Sequence, residues 1–316
     1  SSLVAAVAHE AAERSSNPVP ACWTVAESED NPDWQAAELV ASTLELEHHQ
    51  HILQEDSFDK MLPDLAWHGE DLDVTVLFFQ PLFEKMSQSV TVGLCGQGAD
   101  ELHAGYPRYR DLNNHSSVIQ SRLDSINHSS KSIIEEGQLP VGDYYYCNDH
   151  SATAHTSSLD EFLQFELDGG QLSNFQLRLV DRHSMAHSLE VRVPFLGKSH
   201  RQASHKLPMN WRLPPSMEEK AALRRAADLT KLPAEIVRRP KLPAGTATSP
   251  KLLQQMLAQL DGRAQQIMNK YPKFSGAFKD QPELAIGLGL FEAMHILDGG
   301  RNKRSGTAID LLDEVI

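Results

Sequence analysis

Residues 92–106 read "VGLCGQGADELHAGY": a short apolar run that breaks into glycines and is followed at once by two acids. At the carboxyl end of a strand, Gly96 and Gly98 let the backbone approach a ligand closely, and exposed N–H groups can hold phosphate. Asp100 and Glu101 are hard oxygen donors, suited to Mg²⁺ or to a substrate ammonium group. Two neighbouring like charges beside a tight turn are costly unless something positive sits between them. A glycine loop alone is equally well a structural turn.

Two further segments carry chemistry. In "DRHSMAHSLEVRVPFLG", residues 181–197, Asp181, Arg182, Glu190 and Arg192 crowd beside an apolar turn. Such charges serve either a site or an ion-pair network. His183 and His187 share a helical face, but no third metal ligand has matching spacing, so packing explains them better. His48, His49 and His51 read as strand residues in the same way. In "EIVRRPKLPAG", residues 235–245, Arg238, Arg239 and Lys241 form a basic loop in an acidic chain. That loop meets a polyphosphate or is a solvated surface run.

These segments need a frame. "LVAAVAHEAAER" has helical spacing, with Leu3, Val4, Val7 and Ala11 on one side; "VPACWTV" reads as a strand ending at Val25. Asn31, Pro32 and Asp33 open a second helix whose buried stripe is Trp34, Ala37 and Val40. "EHHQHIL" is the next strand, 79–88 a helix and "VTVGLC" a third strand. Strands alternating with helices imply parallel pairing and helix-covered faces, an α/β arrangement over residues 1–110. Residues 111–316 are expected to be a helical part that completes the site. They hold a Ser/Asn/His-rich connection at 113–130 and prolines at 208, 214, 215, 233, 240 and 243.

Composition bounds the function. The 316 residues are 41% hydrophobic and 23% charged, as in a soluble globular protein. A formal charge of −14 argues against nucleic acid as the main ligand. No apolar run is long enough to span a bilayer, and the start lacks the pattern of a signal peptide. Cys22, Cys95 and Cys147 follow no CxxC pattern, which fits the reducing cytoplasm.

Taken together, the three segments resemble the synthetase domain of class B asparagine synthetases, in the N-type ATP pyrophosphatase group. The pattern there is S-G-(D/E)-G-(A/S)-D-E-x-x-x-G-Y, then D-R-x-S-M-A-H-S-L-E-V-R-V-P-F-L-D, then R-x-K. This chain has "CGQGADELHAGY", "DRHSMAHSLEVRVPFLG" and "RPK" in that order. The resemblance implies an adenine nucleotide alpha hydrolase-like fold: a doubly wound parallel sheet with a C-terminal helical lobe. The family opens this domain with S-G-G-(L/I)-D-S-S-L-V-A, and "SSLVAAV" matches its end, Ser1 included. The strand and glycines before it are expected upstream, as is a glutaminase domain.

Carried over by resemblance, Ser1, Val25, Cys95 and Gly96 contact ATP, with Val25 at the adenine. Asp100 and Glu101 hold the substrate aspartate, or Asp100 the Mg²⁺. Arg182, Glu190 and Arg192 shape the site from the helical side. Lys241 meets the pyrophosphate, Lys220 is a second phosphate candidate, and Gln97 lies among the catalytic positions. The implied chemistry activates the aspartate side-chain carboxylate as an acyl-AMP, releases pyrophosphate, and amidates with ammonia or with glutamine through the glutaminase domain. A homodimer is a further expectation. Three positions depart from the pattern: Cys95 for Ser, Gln97 for the acid, and Gly197 for the closing Asp. An amide cannot act as a general base near neutral pH. The competing readings are a relative that makes another amide or a β-lactam, and a degenerate homologue that binds or regulates without catalysis.

Overall fold

The computed structural model describes residues 1–54, 58–115, 117, 158–168, 170–215, 218–242 and 248–316. Cys147, Pro243 and most of the connection expected at 113–130 lie outside the described residues. Helix α1, Ser2–Ser15, leads to strand β1, Cys22–Ala26. Helix α2, Pro32–Thr43, then returns the chain to β2, His48–Ile52, which pairs parallel to β1 from Cys22↔His48 to Ala26↔Ile52. The start of α2 is set locally: the Asn31 side chain accepts from the Asp33 N–H, and Pro32 supplies a pre-set φ.

Helices α3 (Phe58–Gly69) and α4 (Phe79–Ser87) precede β3, Val92–Leu94, and a short helix α5, Ala99–His103. Beyond them come α6 (Leu159–Asp168) and α7 (Leu177–Met185). Strand β4, Glu190–Arg192, then pairs parallel to β3 from Val92↔Glu190 to Leu94↔Arg192. The rest is helical, chiefly α8 (Ala221–Ala227), α9 (Pro250–Lys270), α10 (Glu283–Phe291) and α11 (Ala308–Val315).

The architecture is mixed α/β, mostly helical, with parallel strands. Among the described residues the four strands form two separate two-stranded sheets, β1–β2 and β3–β4, rather than one continuous sheet. A joined sheet needs a strand bonded to one pair on each side, and no described residue supplies it. The sequence reading of α1 also shifts. Its buried residues are Ala6, His9 and Ala12, while Val7 stands 52% exposed. The small side chains face inward because the helix packs close to Val40 and Leu44.

The largest core draws on both sides of residue 110. Leu62 and Leu65 of α3 meet Met256, Leu260 and Ile267 of α9, Ile286 and Leu290 of α10, and Leu311 and Leu312 of α11. Each such fully buried side chain contributes about 1.5–3 kcal/mol relative to exposure. Thr307 and Asp310 start α11 with a reciprocal capping box, at 3.2 Å and 3.0 Å. Among the described residues no helix is long and apolar enough to cross a membrane.

Candidate active site

The turn after β3 is fixed from both sides. The Cys95 N–H donates to the Arg192 carbonyl at 3.0 Å, which closes the β3–β4 ladder. Gly98 then takes φ +86°, and a Cβ there would lie 2.4 Å from Leu196 Cδ2. Only glycine accepts that angle and that contact. The "VPFL" turn thus forms the seat of the glycine loop, which is how residues a hundred positions apart become one structure. A Cβ on Gly96 would lie 2.5 Å from the backbone nitrogen of Ser1, so the start of α1 packs directly on the same loop.

Asp100 is where the distant segments converge. Lys220 Nζ lies 2.9 Å from its Oδ1 and Lys241 Nζ 3.3 Å from its Oδ2, all three side chains being largely buried. Burial alone would raise the Asp100 carboxyl, but the two ammonium groups outweigh it and hold the group below its usual value. The chain then folds back. Gly105 donates to the Asp100 carbonyl at 2.8 Å, and a Cβ on Gly105 would stand 2.0 Å from Asp100 Oδ1.

The positive charge required beside the two acids is therefore supplied from within the chain. In this ligand-free arrangement the Asp100 carboxylate is faced by two ammonium groups. Among the described residues no group of three or more His, Cys, Asp or Glu comes together to hold a metal.

Glu101 resolves its charge differently. It is 1% exposed and accepts from the Tyr106 hydroxyl at 3.0 Å, which in turn accepts from Gln176 Nε2 at 3.1 Å. Gln176 reaches Tyr106 from a single π turn, Leu172–Gln176, that leads into α7. Burial, and next the charge of Asp100, push the Glu101 carboxyl up to about 7. A raised folded value means that Glu101 supports folding fully below its unfolded value near 4.5, and that this support is lost as pH rises through about 7. The swing is on the order of 3 kcal/mol. Glu101→Gln removes the titration, so its melting temperature should gain on the parent's between about pH 5 and about pH 8. Parallel melting curves across that range would contradict it.

Lys220 and Lys241 also line an open cleft of about 220 Å³, with Ser1, Ala99, Phe195 and Arg239 on its walls. The basic loop is tied down by ion pairs, with Arg238 exposed and Arg239 and Lys241 partly buried. Arg238 pairs with Asp228, Arg239 with Asp33 at 2.6 Å, and Lys241 with Asp100. Lys241 Nζ further sits 5.3 Å from the centre of the Tyr106 ring.

The other expected site residues fall in different places. Val25 is buried in the main core and lines a second cleft of about 240 Å³, beside Trp23, His49 and Lys85. Arg182 donates to the Gly69 carbonyl at 2.7 Å and pairs with Glu70 at 3.1 Å. Glu190 and Arg192 form an exposed pair at 2.8 Å on β4. None of these four lines the lysine cleft. Cys95 is partly buried, which pushes its thiol up, and it receives the Gln97 N–H. Among the described residues the Gln97 side chain makes no hydrogen bond. His183 and His187 both bind Gln80, at 2.8 Å and 2.7 Å, and so tie α7 to α4.

Sequence reading passed over Tyr106, although its motif position was visible. It also passed over Arg224, four residues after Lys220, and Arg239 as a cleft residue.

The asparagine synthase family pattern matches residues 1–278. Asparagine synthetase (glutamine-hydrolyzing) of Mus musculus is 27% identical over 223 residues, covering 67% of this chain and 32% of that protein. Asparagine synthetase (glutamine-hydrolyzing) 1 of Bacillus subtilis (strain 168) is 25% identical over 214 residues, covering 54% and 34%. That of Bos taurus is 26% identical over 223 residues, covering 67% and 32%. The chain spans about a third of the length of these curated relatives. With the family pattern running through the glycine loop, the apolar turn and both lysines, the chain belongs to the asparagine synthase family.

Proposed function

We propose that this chain is the ATP-dependent ligase part of an amide-forming enzyme of asparagine synthetase type. The observation that carries the reading is the convergence of Lys220 and Lys241 on Asp100 at the wall of an open cleft, next to the glycine loop. Phosphoryl chemistry of this kind needs fixed positive charge where the leaving group develops negative charge. Two largely buried ammonium groups provide it. Ser1 and Gly96 offer backbone at the point where the nucleotide phosphates approach.

ATP is a substrate here. An oxygen of the aspartate side-chain carboxylate attacks the α-phosphorus, the bond to pyrophosphate breaks, and pyrophosphate leaves with the displaced electron pair. Ammonia then attacks the acyl carbon and AMP departs. Lys220 and Lys241 hold the phosphates, and Asp100 holds the two lysines side by side. When the lysines turn to phosphate, Asp100 becomes free to meet the ammonium group of the amino-acid substrate. Gln97 orients the incoming amine by hydrogen bonding, without acting as a base. Mg²⁺, bound with the nucleotide, would neutralise charge on its phosphates, and Asp100 would be the carboxylate to hold it once the lysines have turned away.

Ammonia comes from glutamine hydrolysis outside these residues, as the relatives' names suggest for those proteins. The proposed frame remains a doubly wound nucleotide-binding sheet of which β1–β2 and β3–β4 are two flanks, in a cytoplasmic enzyme.

The test is pyrophosphate release by the protein at its natural length, given ATP, aspartate and ammonia. Release dependent on all three is the expected result. No release with aspartate or any other amino-acid carboxylate, from a folded protein, would leave a nucleotide-site homologue without catalysis. Release with a different carboxylate would redirect the product to another amide or a β-lactam.

A further inference from the structure

Arg224 lies on α8 one turn after Lys220, and only 8% of it is exposed. Its guanidinium faces no described carboxylate in an ion pair. It is spent instead on backbone: Nε donates to the Glu219 carbonyl at 2.8 Å, Nη2 to the Arg239 carbonyl at 2.9 Å, and Nη1 to the Val237 carbonyl. The Arg224 N–H also donates to the Lys220 carbonyl at 2.8 Å. One side chain thus clasps the residue before Lys220 and two residues of the stretch that carries Lys241.

The backbone at Lys220 explains why a clasp is needed. Lys220 caps α8 with φ +57°, the left-handed region that strains a side-chain-bearing residue. Such a conformation persists only where its neighbours hold it. On the other side, the stretch after Val237 leaves a four-residue helix, Ala234–Val237, and has little regular structure to define it. Arg224 joins the strained turn to the irregular one. We propose that Arg224 is a positioning residue that sets the spacing of Lys220 and Lys241 across Asp100. Its catalytic consequence rests on the ligase reading above; its geometric consequence does not.

Arginine is required for geometric reasons. Three carbonyls in different directions match the planar fork of a guanidinium, whereas an ammonium is a single point on a flexible stem. Arg224→Lys keeps the charge and loses the fork. Misplacement of a reacting group by about 1 Å costs on the order of 100-fold in rate. Arg224→Lys and Arg224→Gln should therefore lower kcat for pyrophosphate release by about 10- to 100-fold with a much smaller change in the KM for the amino acid. Added guanidinium ion should partly restore Arg224→Gln, and methylammonium should not.

A second readout is independent of turnover. A short bifunctional amine reagent should join Lys220 to Lys241 in the parent protein, detected by peptide mass spectrometry, and this link should be largely lost in both variants. Unchanged link yield and unchanged kcat in folded Arg224→Lys would overturn the role. So would a loss of kcat that follows the fraction unfolded and vanishes when the assay is cooled. If the parent releases no pyrophosphate while the link behaves as described, the positioning role stands and the ligase reading falls.

Discussion

Lys241→Ala should cut the rate of pyrophosphate release by about 100- to 1,000-fold while leaving the protein folded. The size follows from electrostatics. Two unit charges about 4 Å apart interact by about 4 kcal/mol at an effective dielectric near 20, which is about three decades in rate. The Lys241 ammonium stands 3.3 Å from Asp100 and on the cleft wall, so a phosphate entering the cleft takes up that same charge. The cost to folding is smaller. Lys220 continues to pair with Asp100 at 2.9 Å, and Lys241 keeps 21% of its side chain exposed, where screening weakens ion pairs. Single-turnover pyrophosphate release beside a melting curve separates the two effects. A rate within threefold of the parent's would remove Lys241 from the chemistry.

Gly287→Ala should be the most damaging conservative change away from the site. Gly287 lies in α10, where an added Cβ would stand 2.1 Å from the Leu72 carbonyl oxygen and 2.8 Å from its carbon. The obstacle is backbone, so no rotamer change relieves it. Helix α10 is held between α3, α9 and α11 by side chains with no exposure, among them Ile286 and Leu290. Helix propensity favours alanine over glycine by about 1 kcal/mol, but overpacking of this kind costs about 3 kcal/mol or more and decides the sign. A melting temperature lowered by about 3–5 °C is expected. Gly262→Ala in α9 is the control: its Cβ would meet nothing within 4 Å, so there the propensity gain stands alone. Equal melting temperatures for the two variants would refute the close approach.

Much of the local structure was legible. The Asn31–Pro32–Asp33 start, strands at 22–26 and 48–52, and the helix after residue 79 all follow from capping, short β-like runs and helical spacing. The face of α1 was legible only in part: Leu3 and Val4 pack inward as their spacing predicts, but Val7 and Ala11 are exposed and Ala6 takes the place against Val40 and Leu44. The parallel pairing of strands was legible and holds in both pairs; the extent of the sheet was not. Strand periodicity predicts strands, but their joining into one sheet depends on a hydrogen-bonding neighbour for each edge.

The sequence by itself determined the chemistry on offer: a glycine turn, two adjacent acids, a proline-bounded apolar turn and lysines at 220 and 241, in an order that resembles one family. What only the tertiary structure decided is how those charges are settled. Asp100 and Glu101 are neighbours in the chain, yet one is held ionised by two lysines more than a hundred residues away and the other is raised to about 7 by burial. The physical reason is range. Residue type fixes what a group can donate or accept, while its charge at neutral pH depends on water and counter-charges within a few ångströms, and those are brought by segments whose separation along the chain says nothing about distance in space.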